Sequence, residues 1–166
     1  LFIEYFNQHP EVKLVIAPHV IDENHLVEII RKLKRPYVRY TRADEKNVRK
    51  ADCLIIDCFG LLSSIYRYGE IAYIGGGFGV GIHNTLEAAV YGIPVIFGPK
   101  YQKFQEAIQL LEAKGAFSVK DYEELKTLLD RMLTDEVFLR ESGMNASNYV
   151  TGNAGATDKI MSMINF

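Results

Sequence analysis

Residues 71–99, IAYIGGGFGVGIHNTLEAAVYGIPVIFGP, constrain this chain more than any other part of it. The stretch reads as a short apolar strand, a glycine-dense turn, a capped helix and a second apolar strand ending in Gly98-Pro99. Gly75, Gly76, Gly77, Gly79 and Gly81 allow positive φ and let a ligand come close to the main chain. A helix beginning at His83 or Asn84 would turn its unpaired N–H groups and positive dipole end toward the same crevice. In α/β proteins a strand, a glycine loop and a helix start together hold anionic ligands, phosphates above all. The block therefore points to a nucleotide site. A second reading uses the same residues: Asn84 with Glu87 three positions on is a capping box, and Gly92 before Ile93-Pro94 is an ordinary helix stop. Two motifs are excluded, since the glycines are not in dinucleotide register and no Gly-Lys-Ser/Thr follows to make a P-loop.

Apolar runs alternate with amphipathic stretches along the rest of the chain, which predicts an α/β fold with a largely parallel sheet. Strands are expected over residues 12–17, 36–40, 53–57, 71–74, 94–97 and 117–119. Residues 1–6 read as a helix already under way. Further helices are expected after Asp22 and over residues 61–68, 104–114, 122–133, 135–149 and 154–164, with Asp121 and Glu124 as a second capping box. Residues 41–50 read as a charged connector, a solvated surface. No repeat, low-complexity segment or linker divides the chain, so one domain spanning residues 1–166 is expected.

Composition narrows the function classes. With 166 residues, 48% of them hydrophobic and 24% charged, the chain can bury a core as a soluble domain. A net charge of −2 gives no overall electrostatic footprint for nucleic acid. Cys53 and Cys58 make neither a zinc set nor a disulfide framework and suit a reducing cytoplasm. No apolar run is long enough to span a bilayer and no signal peptide is expected, so any membrane contact is expected to be peripheral or made by residues outside this chain.

The block Gly-Gly-Gly-Phe…Gly-Ile-His-Asn-Thr-Leu-Glu-Ala-Ala…Gly-Ile-Pro-Val…Gly-Pro resembles the nucleotide-sugar half of the 3-deoxy-D-manno-octulosonic acid (Kdo) transferases. Val15-Ile-Ala-Pro-His19 sits where that family has a strand ending in Pro-Arg-His. Ile56-Asp-Cys-Phe-Gly60 resembles its Asp-Thr-Met-Gly segment, and Asn153-Ala-Gly155 its Asn-x-Gly. The similarity covers nearly the whole chain in order. His-Asn-x-Leu-Glu with flanking glycines is fairly specific, whereas Gly-x-Pro-Val occurs in many glycosyltransferases of the GT-B fold.

The resemblance implies a Rossmann-like sheet with helices on both faces, the C-terminal half of a GT-B enzyme. It implies a donor-binding domain that holds CMP-Kdo while Kdo passes, with inversion, to the lipid A precursor of lipopolysaccharide. Glu87 would accept hydrogen bonds from both ribose hydroxyls, against its alternative role as a cap. Asn84 would lie within reach of a phosphate, and Gly75, Gly76 and Gly77 would offer close backbone approach and N–H donors. His83 has either a ligand role, under the resemblance, or a surface or packing role. Pro18 and His19 stand at a strand's carboxyl end, and His19 would replace the family arginine as a weaker anion partner. Asp57 and Gly60 are expected as loop contacts at that edge. Leu61 stands where the family has an acidic residue. Residues 100–103 read as either a crevice rim or a solvated loop.

The implied catalytic base lies in an N-terminal acceptor domain, so no catalytic residue is expected in this chain. The chain is expected to be a fragment lacking that domain and its own first strand, and to transfer no sugar alone. Neither cofactor nor metal is expected, since no Asp-x-Asp occurs. The resemblance places the whole protein at the cytoplasmic face of the bacterial inner membrane, contacting it peripherally, and the fragment in solution. Two alternatives stay open: another GT-B enzyme using a UDP-sugar, and a non-catalytic nucleotide-binding module.

Overall fold

Each apolar run expected as a strand forms one, and every strand among the described residues is three residues long. A computed structural model describes residues 1–79, 81–155 and 161–162. Its contacts fall into two compact units, Leu1–Ile65 and Tyr66–Phe166.

The first unit runs α1 (Phe2–Gln8), β1 (Leu14–Ile16), α2 (Glu23–Lys32), β2 (Tyr37–Arg39), α3 (Glu45–Val48), β3 (Cys53–Ile55) and α4 (Leu62–Ile65). Its sheet has the order β1-β3-β2, all parallel, with Leu14 and Tyr37 both level with Cys53. Leu14, Cys53 and Ile55 pack with Phe6 of α1 and with Leu26 and Ile29 of α2. Helix α2 starts where Asp22 accepts a hydrogen bond from the His25 N–H at 3.0 Å. The Cys53 thiol is buried in this core, and burial pushes its pKa up to about 12, so it acts as a small hydrophobe.

The charged connector is more ordered than expected. Residues 40–42 form a 3-10 turn, and α3 opens on a reciprocal capping box between Asp44 and Asn47. Side chains hold these turns where the sheet ends. The Asp57 carboxylate, 1% exposed, accepts from Arg39 Nε at 2.8 Å, the Thr41 N–H at 2.8 Å and the Thr41 hydroxyl at 2.6 Å. Burial pushes the Asp57 pKa up, but these donors outweigh it and hold the group down at about 2. A carboxylate with a lowered folded-state pKa stabilises fully above its unfolded value near 3.8 and loses that contribution as pH falls through 2. An NMR titration should therefore find the Asp57 carboxyl ionised at pH 3. Titration near 4 would mean that the cluster is not formed in solution.

The second unit begins with a 3-10 turn (Tyr66–Tyr68), followed by β4 (Ala72–Ile74), α5 (Leu86–Ala89), β5 (Val95–Phe97) and α6 (Gln105–Glu112). It continues with β6 (Ala116–Ser118), α7 (Tyr122–Thr134) and α8 (Glu136–Asn153). The parallel order β4-β5-β6 puts β5 in the middle, buried at every position, as expected for a strand covered on both faces. Helix α8 packs across this unit through Gly143. A Cβ there would lie 2.1 Å from the Gly92 carbonyl oxygen, so the helical glycine has a packing reason. Asp121 caps α7 through the Glu124 N–H, while the Glu124 carboxylate takes the Lys120 N–H instead of closing the box on Asp121.

The alternation thus gives the α/β class correctly, as two three-stranded parallel sheets flanked by helices. Residues 61–68, expected as one helix, divide into α4 and the 3-10 turn. Helix α8 passes the expected end near Tyr149, and most of the helix expected over 154–164 lies outside the described residues.

Candidate functional site

The glycine loop leaves the carboxyl end of β4, and most of its glycines serve the loop's own packing. Gly76 has φ +91°, and a Cβ on it would sit 2.2 Å from the Gly81 carbonyl oxygen. The loop closes as the Gly79 and Gly81 N–H groups both donate to the Gly76 carbonyl. Gly77 is buried, and its Cβ would meet the Gly98 nitrogen at 2.6 Å, while the Lys100 N–H donates to the Gly77 carbonyl at 3.0 Å. The turns that follow β4 and β5 therefore lie back to back. Gly81, at φ +144°, accepts the Phe104 ring against it.

Gly75 is different. It is exposed, needs no positive φ, and a Cβ on it would find nothing within 4 Å. Nothing in the chain's own packing requires glycine there. The open space beside its main chain lies at the carboxyl end of a parallel strand, where α/β sheets hold ligands.

The helix after the loop begins later than the sequence suggested. Instead of starting at His83 or Asn84, α5 begins at Leu86, with Thr85 as its N-cap, and is four residues long. Ile82 and Thr85 are buried, so the chain must pass inward twice before it can coil. The expected capping box is also rearranged. Asn84 Oδ1 accepts from the Leu86 N–H at 3.0 Å, and its Nδ2 donates to Glu87 Oε1 at 3.0 Å, so Glu87 bonds the side chain of Asn84 and not its backbone. With both ends of the amide engaged, Asn84 fixes the Glu87 carboxylate. Oε2 of Glu87 makes no hydrogen bond among the described residues. His83 is exposed, with Cδ2 3.5 Å from where a Gly76 Cβ would be.

Two residues here escaped the sequence reading. Burial pushes the Tyr66 phenol's pKa up, and the Glu87 charge adds to the shift, which puts the ring near that carboxylate. The Thr85 hydroxyl is buried without a hydrogen-bond partner among the described residues. No spacing announces either one. Among residues 100–103, Tyr101 packs on Phe97 and Gln102 donates to the Pro99 carbonyl, while Lys100 and Lys103 are exposed. Among the described residues, no group of three or more His, Cys, Asp and Glu could hold a metal ion.

In the first unit, Pro18 is half-buried and His19 exposed, just past the end of β1. Asp57, expected as a loop contact, is instead saturated by Arg39 and Thr41. Arg39 also makes two hydrogen bonds to Glu23 and is 14% exposed, so it is committed to two carboxylates.

No protein-family model matches the chain. A curated relative, the 3-deoxy-D-manno-octulosonic acid transferase of Aquifex aeolicus, is 36% identical over 135 residues, covering 80% of this chain and 37% of the relative. Coverage that long necessarily includes residues 71–99. The chain belongs to the Kdo transferase family. It spans 25–37% of the length of the first curated relatives it matches. Two solved structures share the fold. The C-terminal CMP-Kdo binding domain of WaaA from Acinetobacter baumannii matches at a TM-score of 0.74 and 18% identity, over 89% of this chain and 78% of that one. The C-terminal domain of a group 1 glycosyl transferase family protein (LpcC) from Francisella tularensis matches at 0.60 and 17%, over 93% and 75%.

Proposed function

We propose that this chain is the donor-holding part of a Kdo transferase, binding CMP-Kdo while the sugar passes with inversion to a lipid A precursor. The observation that carries this reading is the 36% identity to the Aquifex enzyme over 80% of this chain, a span that takes in the block holding Gly75, Asn84 and Glu87. The nucleotide lies over the open main chain at Gly75, its phosphate taken by N–H groups of the glycine loop. Glu87, aimed by Asn84, accepts the ribose hydroxyls through the oxygen that Asn84 leaves unused. His83 supplies a further donor contact. The short α5 contributes little macrodipole, so preorganised N–H groups carry most of the stabilisation of the departing phosphate. The acceptor and the general base come from elsewhere in the enzyme, which works at the cytoplasmic face of the inner membrane.

A titration followed by amide NMR shifts tests the donor. CMP should bind weakly and move the signals of Gly75, Gly76, Gly77, Asn84 and Glu87, ahead of UMP and AMP. Tighter binding of UMP would reassign the site to an enzyme that uses a UDP-sugar. Glu87→Gln keeps an oxygen for the Asn84 amide, so folding should be unchanged while CMP binding weakens by about 1–3 kcal/mol. A lowered melting temperature with unchanged binding would make Glu87 a structural partner only.

A further inference from the structure

Charge is strongly segregated along this chain. Of its 19 Lys and Arg, nine lie within residues 31–50, which hold only two of its 21 Asp and Glu. Arg35 and Arg39 are spent on ion pairs with Asp52, Glu23 and Asp57. The other seven cations are exposed and make no ion pair among the described residues.

Topology gathers much of this charge at the amino end of the first unit's sheet. The Asp52 N–H donates to the Pro36 carbonyl at 2.8 Å, so the turn carrying Lys34 lies beside the turn carrying Arg49 and Lys50. Tyr37 stands immediately above them, level with Cys53, on β2, an edge strand. Its side of the sheet end is wet: Tyr37 is 42% and Val48 48% exposed. Lys46, Arg49 and Lys50 all project from the one short capped turn of α3 and its exit.

We infer that this basic edge, together with the exposed Tyr37 and Val48, docks the protein on an anionic lipid bilayer. Cations near such a surface are drawn by its negative potential, while tyrosine and a small apolar side chain enter the headgroup zone. The preference for a bilayer over nucleic acid rests on Val48, for which a phosphodiester backbone has no apolar counterpart, and on the lipid acceptor proposed above.

The test is co-sedimentation of the full chain with vesicles of phosphatidylcholine alone and with about one third phosphatidylglycerol. Binding should require the anionic lipid and vanish in about 0.5 M salt, where screening is nearly complete. Replacing Lys46→Gln, Arg49→Gln and Lys50→Gln together should weaken it roughly hundredfold, at about 1 kcal/mol per cation. Tyr37→Ser, which leaves every charge in place, should weaken it severalfold. Unchanged circular dichroism and an unchanged CMP titration would show that these variants keep fold and donor site. Equal binding to neutral vesicles, no binding to anionic ones, wild-type binding by the triple variant, or tighter binding to duplex DNA would each overturn the inference. Loss of CMP binding with vesicle binding intact would strike the donor site alone.

Discussion

Arg35→Ala should destabilise the first unit by about 3–5 kcal/mol, the penalty for breaking a buried, fully engaged charge. The guanidinium is 12% exposed and its Nη1 donates to three carbonyls, those of Phe6, His9 and Val12, at 2.7–3.0 Å. Nη2 donates to the Pro10 carbonyl at 2.9 Å and pairs with Asp52 at 3.3 Å, and the group stacks 4.1 Å from the Phe6 ring centre. One side chain thus satisfies the carbonyl end of α1, shapes the turn into β1 and ties both to the approach of β2. Alanine would leave the Pro10 and Val12 carbonyls of this half-buried turn without a donor among the described residues, those of Phe6 and His9 with a backbone N–H alone, and Asp52 without one of its two cations. Arg35→Lys should recover only a minor part, because an ammonium cannot address carbonyls on several sides at once. Hydrogen exchange provides the local measurement. Amides of Leu14 and Cys53 should lose about two orders of magnitude of protection in Arg35→Ala, and wild-type protection would show that the clamp is dispensable.

What was legible in the sequence follows from range. Short apolar runs at regular spacing specify strands whatever lies around them, so all six were found, and Asp22, Asp121 and Asp135 marked helix starts because a cap acts within three residues. Arg35 carries no such signal. Its partners are 17 to 29 residues away, and only the folded turn brings them together. Asp57 was misread for the same reason, since its saturation depends on Thr41, sixteen positions earlier. The start of α5 was misplaced because the spacing of Asn84 and Glu87 fits a box equally well whether the carboxylate meets backbone or amide. Only the buried Ile82 and Thr85 decide between them. At the candidate site, Asn84 and Glu87 were legible as a pair, whereas Tyr66 required the packed structure.

Gly77→Ala and Gly75→Ala, two positions apart, should behave in opposite ways. At Gly77 the new methyl would press on the Gly98 backbone, 2.6 Å from its nitrogen and 2.7 Å from its Cα. Backbone cannot turn aside as a side chain can, so the turns after β4 and β5 must separate, at a cost of about 3 kcal/mol or more. A marked fall in melting temperature is expected, and CMP binding should fail with the fold. At Gly75 the methyl enters open space at a φ that alanine tolerates, which should stabilise the chain by about 0.4–1 kcal/mol through the unfolded state. The same methyl occupies the space proposed for the nucleotide, so CMP affinity should drop about tenfold or more. A gain in stability joined to a loss of binding is not a signature that damage to packing can produce. If Gly75→Ala binds CMP as the wild type does, the nucleotide lies elsewhere. If Gly77→Ala melts as the wild type does, the back-to-back turns do not hold the loop.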